Sequence, residues 1–243
     1  MSVFESLLTQ GTTALGLEQN AGAVLLMQKY YLLLTARNSV MNLTTVTGEE
    51  EAARLHFLDS LALLNIFDFK GKSVVDVGSG AGFPGLPLKL MCPSIELTLL
   101  DAQKKRVAFL EELCLTLGVE VSCIHARAED AAAANAGAKG AGLREAFACA
   151  VSRAVAELNI LCELCLPLVA PGGVFIAMKS VNSDAEIEAA KNAIDTLGGE
   201  IEAVTDYEIP GTAIVHRAVT VRKIAATPAK YPRRFAKIQK SPL

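Results

Sequence analysis

The fold is decided by the stretch from residue 73 to residue 87, Ser-Val-Val-Asp-Val-Gly-Ser-Gly-Ala-Gly-Phe-Pro-Gly-Leu-Pro. The valines between residues 74 and 77 form a short β-branched run, which is typical of a buried strand. Three glycines follow at alternate positions: Gly78, Gly80 and Gly82. Glycine allows positive φ and lets a ligand approach the backbone, while Pro84 suits the first turn of a helix. The stretch therefore predicts a strand, a loop and a helix N-terminus, where free N–H groups favour a carboxylate or phosphate.

Asp76 distinguishes this loop from a plain dinucleotide-binding loop. It lies two residues before the first glycine, and the third glycine falls one position earlier than in the Gly-x-Gly-x-x-Gly pattern. An acid at the end of the strand repels a pyrophosphate but attracts an ammonium group. A ligand with both an amine and a carboxylate fits better, and S-adenosylmethionine is such a ligand. The alternative is a structural turn without any cofactor.

The composition limits what can surround this loop. Of 243 residues, 51% are hydrophobic and 20% are charged, and the formal net charge is -3. These values indicate one large folded domain, or a domain with an appendage, and argue against a uniformly basic nucleic-acid binder. No uninterrupted apolar run reaches about 18 residues, the length that could span a bilayer. Since no basic residue precedes Lys29, the charged start of a secretory signal is missing, and we expect a cytoplasmic protein without a membrane partner.

The six cysteines are interpreted as reduced residues of the core. Cys162 and Cys165 have the spacing of a metal or redox pair, but they lie in a leucine-rich helical pattern with no second Cys or His pair nearby. We therefore predict that they pack within a helix, and we expect no metal site.

The first seventy residues predict about three helices and no strand. The third helix carries His56 and Asp59, which are three residues apart and therefore lie on one face. We favour a hydrogen-bonded pair on the surface over a functional role for these two residues.

After the glycine loop, strand and helix patterns alternate, as in a parallel sheet that is covered on both faces. Seven strands are predicted, at about 74–77, 95–100, 120–125, 147–152, 174–179, 201–209 and 213–223. Pro210-Gly211 suits a turn, so the last two strands should form a hairpin. This is an α/β fold with a mostly parallel seven-stranded sheet, the arrangement of Rossmann-like methyltransferases. We expect an N-terminal helical extension (1–70), a methyltransferase domain (71–225) and a basic tail (226–243); the stretch 131–145 gives no clear pattern.

The residues at the carboxyl ends of the parallel strands are those that would meet a ligand. Asp101 follows the second strand, where an acid can accept hydrogen bonds from the two hydroxyls of a ribose. Taken alone, Asp101 could instead cap a helix. Together with Asp76 and the glycine loop, it favours a cofactor that contains adenosine.

Six segments resemble the family of ribosomal RNA small subunit methyltransferase G, also called glucose-inhibited division protein B. They are Asn42-Leu-Thr, His56-Phe-Leu-Asp-Ser60, Asp76 to Gly85, Arg127-Ala-Glu-Asp130, Ser152-Arg-Ala154 and Tyr231-Pro-Arg. The resemblance covers most of the chain and implies methyl transfer from S-adenosylmethionine to N7 of the guanine at position 527 of 16S ribosomal RNA, an activity of class EC 2.1.1. It assigns cofactor contacts to Gly78, Phe83, Ala128, Glu129 and Arg153, with Gly80 and Gly82 in the same loop and Asp76 and Asp101 in general methyltransferase roles. The chain departs from the family at Ala126, Ser180 and Phe235-Ala236, where glycine is common.

The end of the fourth strand lacks the motifs that other nucleic-acid methylations require, which is consistent with methylation of guanine N7. Methylation of pyrimidine C5 needs a cysteine nucleophile, and methylation of an exocyclic amine usually uses an Asn/Asp-Pro-Pro-aromatic motif, but Ser152-Arg153 offers neither. Guanine N7 carries an in-plane lone pair that can attack the methyl group directly, so no general base is expected. Arg153 is predicted to position the reactants, by fixing the cofactor carboxylate or contacting guanine O6. The alternative is a surface ion pair.

The C-terminal tail supplies a local basic patch that an acidic protein needs in order to bind RNA. Its predicted RNA-binding residues are Lys230, Tyr231, Arg233, Arg234 and Lys237. Lys240 adds a further positive charge, and Tyr231 and Phe235 are the candidates for stacking on bases. The alternative is a disordered, solubilising tail. We expect a monomer whose partner is 16S ribosomal RNA or the small ribosomal subunit, and not DNA.

Three other functions stay open: a small-molecule methyltransferase, a non-catalytic S-adenosylmethionine-binding assembly factor of the ribosome and, least favoured, a nicotinamide oxidoreductase.

Overall fold

The computed structural model describes residues 2–133 and 142–243. Within these residues, seven strands form one sheet: β1 (Ser73–Val77), β2 (Glu96–Asp101), β3 (Ser122–His125), β4 (Phe147–Arg153), β5 (Val169–Ser180), β6 (Gly199–Glu208) and β7 (Val215–Lys223). The central part of the stretch 131–145, which has no clear sequence pattern, lies outside the described residues.

The strand order is β3-β2-β1-β4-β5-β7-β6. Strands β1 to β5 pair in parallel, while β7 pairs antiparallel with both β5 and β6. The predicted α/β fold, with a mostly parallel seven-stranded sheet and a terminal hairpin, is confirmed. Since the strand order reverses between β1 and β4, the carboxyl ends of these two strands form the crevice in which such sheets bind ligands.

The α-helices described by the structure are α1 (Val3–Ala14), α2 (Ala21–Met41), α3 (Glu49–Ala52), α4 (Asp59–Leu61), α5 (Gly85–Met91), α6 (Lys104–Leu117), α7 (Ala128–Ala131), α8 (Leu158–Cys165), α9 (Asp184–Thr196) and α10 (Phe235–Lys240). α1 begins with a capping box, in which Ser2 accepts from the Glu5 amide and the Glu5 carboxylate accepts from the Ser2 amide. The N-terminal helical extension is present, as predicted.

The third helical region is continuous from residue 49 to residue 65 but changes its winding. α3 leads into a π-helical segment (Ala53–Leu58), which is followed by α4 and a 3-10 turn (Ala62–Asn65). We call the whole region the helical segment 49–65. π-helical turns are frequent at functional sites. This one includes His56 and directly precedes Asp59.

Two hydrophobic clusters cover the two faces of the sheet. The alternation of β1 shows how they are separated, because Val74 packs into the first cluster while Val75 and Val77 pack into the second. The first cluster also contains the apolar faces of the N-terminal helices, α5 and α6; the second contains those of α8 and α9. The N-terminal helices therefore share one core with the glycine loop.

The C-terminal tail is ordered and packs into the second cluster. Tyr231 is 8% exposed and Ile238 is fully buried. Arg144 fastens the tail by donating hydrogen bonds to the backbone carbonyls of Thr227 and Tyr231. The alternative of a disordered tail is therefore wrong.

Arg233 joins the tail to α8 through a buried carboxylate. Glu163 is fully buried, and its two oxygens accept from Arg233 Nε at 2.9 Å and Nη2 at 2.6 Å. The Arg233 amide also donates to Glu163 at 2.7 Å. This ion pair and the burial of Tyr231 argue against the sequence-based expectation that these two side chains contact RNA, because the tail already uses both of them for its own packing.

Arg233→Met should lower the free energy of unfolding by about 3 kcal/mol, because Glu163 would stay buried without its guanidinium partner. The exposed neighbour Arg234 provides the matched control, and Arg234→Met should change stability by less than about 0.5 kcal/mol. Urea denaturation measures both variants. Adding Glu163→Met to Arg233→Met should recover most of the loss, and equal denaturation midpoints for the two single variants would contradict the assignment.

Candidate active site

The glycine loop after β1 has a backbone shape that only glycine adopts easily. Gly78, Gly80 and Gly82 have φ values of 73°, 58° and 105°. At Gly82 a side chain is also excluded sterically, because a Cβ atom would lie 2.6 Å from the Tyr30 hydroxyl. That hydroxyl donates a hydrogen bond to the Ala81 carbonyl at 2.5 Å. α2 therefore fixes the shape of the loop from one side.

Asp76 lies at the end of β1 with one carboxylate oxygen unpaired. The side chain is fully buried, and its Oδ2 accepts from the Gly85 amide at 2.8 Å. Its Oδ1 is buried and has no hydrogen-bond partner among the described residues. Burial raises the pKa of Asp76 to about 7. A buried oxygen of this kind is unfavourable unless a donor reaches it, and an ammonium group fits that need.

Asp101 lies at the end of β2 and links the glycine loop to α6. Its Oδ1 accepts from the Gln103 amide at 2.8 Å, and its Oδ2 accepts from the Gly80 amide at 2.9 Å. Arg106 adds an ion pair at 3.6 Å. The N-cap residue of α6 is Gln103, with no side-chain capping hydrogen bond, so Asp101 does not have the helix-capping role that was the alternative interpretation. Each ionised oxygen can still accept a second hydrogen bond, so a ribose hydroxyl remains compatible with this arrangement.

Ala128 and Glu129 open the short α7 after β3. Glu129 is 7% exposed, and burial raises the pKa of its carboxyl group. The guanidinium of the preceding Arg127 lies 5.5 Å from the ring centroid of Phe235, the first residue of α10. The C-terminal helix therefore contacts the N-cap residue of α7, the helix that carries two of the predicted cofactor residues.

Phe83, another predicted cofactor residue, is largely a core residue. It is 5% exposed, and its ring stacks on Tyr30 at 5.0 Å and on His56 at 4.6 Å between centroids. The Arg153 guanidinium lies 5.2 Å from the same ring centroid. The Phe83 side chain therefore attaches the glycine loop to the N-terminal helices, which leaves little of the ring to contact a cofactor.

Asp59 forms the centre of a buried polar network. It is fully buried, and its Oδ2 accepts from Arg153 Nη1 at 2.8 Å. Its Oδ1 accepts from the Tyr207 hydroxyl at 2.9 Å and from His216 Nδ1 at 2.8 Å. Although burial opposes ionisation, the hydrogen bond from His216 and the charge of Arg153 hold the pKa of Asp59 below its usual value. The interpretation of Asp59 and His56 as a surface pair is wrong, and Arg153 forms a buried ion pair rather than a surface one.

His56 supports Arg153 from the same helical segment. Its Nδ1 lies 3.3 Å from Arg153 Nη2, and its Nε2 lies 2.7 Å from Thr44 Oγ1. Burial and then the Arg153 charge lower the pKa of His56 to about 4, so the ring is neutral at neutral pH. Its Nδ1 therefore accepts from Arg153 and its Nε2 donates to Thr44, which leaves neither nitrogen free to act as a base.

A cavity of about 420 Å³ opens over this network at the carboxyl ends of β4 and β5. Its lining includes Leu55, His56, Asp59, Arg153, Lys179 and His216. The cavity lies close to the glycine loop, because two of its lining residues, His56 and Arg153, contact the ring of Phe83. Lys179 donates to the Ala156 carbonyl at 2.7 Å and pairs with Glu186.

Sequence reasoning missed Tyr207 and His216. Both lie on the terminal hairpin, and their approach to Asp59 depends on the pairing of β7 with β5 and β6 and on where the helical segment 49–65 docks. The signal available in the sequence was a lone histidine at the start of the last strand, which does not by itself indicate a site.

Other expectations concern metals, cysteines and membranes. Among residues 2–133 and 142–243, no group of three or more His, Cys, Asp or Glu side chains could hold a metal ion. Cys162 and Cys165 are buried in α8, as predicted. In the described part of the chain, no helix combines the length and the apolar character that crossing a membrane requires.

The sheet order, the glycine loop and the acids at the ends of β1 and β2 define a Rossmann-like, S-adenosylmethionine-dependent methyltransferase. A solved SAM-dependent methyltransferase from Aquifex aeolicus shares the fold, with a TM-score of 0.52 and 16% identity over 72% of this chain and 93% of that chain.

The family model for rRNA small subunit methyltransferase G matches residues 24–215. The ribosomal RNA small subunit methyltransferase G of Pelotomaculum thermopropionicum is 42% identical over 245 residues, covering 100% of both chains. That of a Thermoanaerobacter species is 47% identical over 218 residues, covering 89% of this chain and 88% of the relative. The chain belongs to the rRNA small subunit methyltransferase G family, which confirms the resemblance seen in the sequence.

Proposed function

We propose that this protein transfers the methyl group of S-adenosylmethionine to N7 of the guanine at position 527 of 16S ribosomal RNA. The observation that carries this proposal is the cavity at the carboxyl ends of β4 and β5, in which Asp59, Arg153 and Lys179 are paired and no cysteine offers a nucleophile. The family relationship supports ribosomal RNA as the substrate.

The chemistry of N7 suits such a cavity. No cysteine lines it, Asp59 accepts from three donors, and both ring nitrogens of His56 are engaged. Guanine N7 has a lone pair and carries no proton, so its attack on an electrophilic methyl group requires no base. The main task of the protein is then to hold donor and acceptor in line.

The charges of the cavity are also compatible with this reaction. N7 methylation places a positive charge on the guanine ring. Arg153 is paired with Asp59, and Lys179 is paired with Glu186. The developing charge therefore does not face an uncompensated cation. Arg153 acts in this proposal as a positioning residue at the wall of the cavity.

The residues around the glycine loop fit the cofactor that the fold implies. Bound S-adenosylmethionine supplies the electrophilic methyl group. The unpaired Oδ1 of Asp76 would accept from its ammonium group, and Asp101 would accept from its ribose hydroxyls. Further contacts are proposed for the glycine loop (Gly78, Gly80 and Gly82) and for Ala128 and Glu129.

Asp76→Asn should weaken binding of S-adenosylhomocysteine, which keeps the ammonium group, about 10- to 100-fold, because a charged acceptor is lost inside a buried site. The ligand-free variant should be at least as stable as the wild type, since it buries no ionisable group. Calorimetric titration and thermal melting measure the two effects. Asp195→Asn changes an exposed acid of α9 and serves as the control. Unchanged affinity in a folded Asp76→Asn variant would exclude Asp76 from the site.

The reaction itself is tested with small subunits whose guanine at position 527 is replaced by 7-deazaguanine, in which a C–H group stands in place of N7. Radiolabelled methyl transfer should occur on the unmodified RNA and be absent from the analogue, and the product should undergo the strand cleavage characteristic of 7-methylguanine. Transfer to both substrates would place the reaction on another atom. Transfer only to metabolites would identify a small-molecule methyltransferase, and binding without transfer an assembly factor.

Four exposed basic residues remain on the tail and are proposed RNA contacts: Lys230, Arg234, Lys237 and Lys240. They lie on or beside α10, which contacts Arg127 next to α7. This places positive charge near the carboxyl edge of the sheet, where the substrate must enter.

Arg234→Gln combined with Lys237→Gln should weaken RNA binding and lower the salt dependence of log K by about 0.7 for each lost phosphate contact. The matched control is Lys70→Gln combined with Lys72→Gln, which removes the same charge from exposed residues just before β1, at the opposite edge of the sheet. Filter binding across a salt series measures the slopes. Equal slopes for the two double variants would remove α10 from the RNA interface.

A further inference from the structure

His216 lies on the terminal hairpin and lines the cavity at the carboxyl ends of β4 and β5. It is the second residue of β7 and pairs with Ser180 at the end of β5. Its ring packs edge-on against Tyr207 at 6.2 Å between centroids, and its Nδ1 lies 2.8 Å from Asp59 Oδ1. The side chain is 32% exposed and lines the cavity. Two neighbours and one hydrogen bond therefore fix the ring orientation.

The bond to Asp59 also sets which ring nitrogen carries the proton. Ionised Asp59 can only accept, so His216 Nδ1 carries a hydrogen and donates it. In the unprotonated ring, Nε2 is then a hydrogen-bond acceptor. Nε2 makes no hydrogen bond to any residue that the structure describes, so it is available to a molecule in the cavity.

The other polar side chains of the cavity offer a different set of groups. Arg153 and Lys179 bring N–H donors, while the oxygens of Asp59 and the nitrogens of His56 are already engaged. The Ser180 hydroxyl is exposed at the rim. When its ring is neutral, His216 adds a fixed acceptor, Nε2, to a wall whose other polar side chains are the cationic donors and the Ser180 hydroxyl.

An enzyme that methylates N7 must distinguish guanine from adenine by other atoms, because adenine carries the same N7 lone pair. The two bases differ at the neighbouring edge: guanine presents the O6 acceptor beside an N1–H donor, whereas adenine presents an amino donor beside an N1 acceptor. A fixed acceptor in the cavity can accept a hydrogen bond from N1–H of guanine. With adenine, the same acceptor would face the lone pair of N1, and the two would repel each other.

We infer that His216 is a specificity-determining residue, whose Nε2 accepts a hydrogen bond from N1–H of the target guanine while Asp59 holds the ring. This inference rests on the proposed function and names the group that selects the base. Asp59 is a positioning residue in this scheme, since it acts on the base only through His216 and Arg153.

The test uses two variants of the full-length protein and two base analogues at the target position. His216→Asn keeps an amide that can donate to Asp59 but has no atom at the place of Nε2. His216→Gln extends an amide oxygen toward the place of Nε2 and supplies an acceptor there. Of the analogues, 1-deazaguanine lacks the N1–H donor but keeps N7 and O6, and inosine lacks only the exocyclic amine.

In the wild type, 1-deazaguanine should lower kcat/KM for methyl transfer about 10- to 100-fold relative to guanine, while inosine should lower it less than about threefold. His216→Asn should lower transfer to guanine by a similar factor and make the protein insensitive to 1-deazaguanine. His216→Gln should keep most of the wild-type preference. S-adenosylhomocysteine affinity should match the wild type in both variants. The melting temperature should match the wild type in His216→Asn, which keeps a donor to Asp59, and fall in His216→Gln, which does not.

The outcomes separate this inference from the proposed function. Absence of wild-type transfer to guanine would remove the proposed function itself. Wild-type transfer combined with a His216→Asn variant that still discriminates against 1-deazaguanine would overturn only the role of His216. Full activity of His216→Asn would also overturn the role of His216 in base selection. Asparagine keeps the hydrogen bond to Asp59 but lacks the Nε2 acceptor, so such a result would mean that His216 only supports Asp59.

Discussion

The active-site end of this protein depends on the buried carboxylate of Asp59. A charge removed from water is tolerated only when donors surround it, and here Arg153, Tyr207 and His216 supply them from β4, β6 and β7. Asp59 itself belongs to the helical segment 49–65. One side chain therefore ties the N-terminal helices to three strands of the sheet. Because Arg153 and His216 also line the cavity at the carboxyl ends of β4 and β5, the geometry of that cavity follows from the docking of the helices.

The contrast between Asp59 and Asp76 explains how neighbouring acids serve different purposes. Asp59 accepts from three donors and keeps a depressed pKa despite its burial. Asp76 receives one backbone hydrogen bond, retains a buried oxygen without a partner among the described residues, and has a pKa raised to about 7. The hydrogen-bonding capacity of Asp59 is used by donors from the protein itself, and these bonds hold the helical segment 49–65 against the sheet. Asp76 gains stabilisation only when a donor arrives, which is the property expected of a ligand-binding group rather than of a structural one.

The sequence predicts those parts of the fold and site that are local along the chain. The strand, the glycine loop and Asp76 lie within fifteen residues. The residue types in this stretch and their spacing were therefore enough to predict that the ligand binds at the carboxyl end of the strand, and to predict what kind of ligand it is. Asp101 required only the rule that parallel strands end at the same edge. Contacts between distant segments could not be predicted. Asp59 meets Tyr207 and His216 across more than 140 residues, and nothing in the local pattern encodes the register that joins them.

The tail illustrates the same limit with the opposite outcome. Its basic composition was visible in the sequence, but composition does not reveal which charges a fold consumes. Arg233 pairs with the buried Glu163, and Tyr231 packs into the core, so the charge available to a partner is smaller than the sequence count suggests. Packing also gives the tail a second effect. Since Phe235 lies against Arg127, the N-cap residue of the helix α7 that carries Ala128 and Glu129, the segment nearest to the proposed RNA contacts also abuts the proposed cofactor site. Any movement of α10 on RNA binding would therefore act directly on α7.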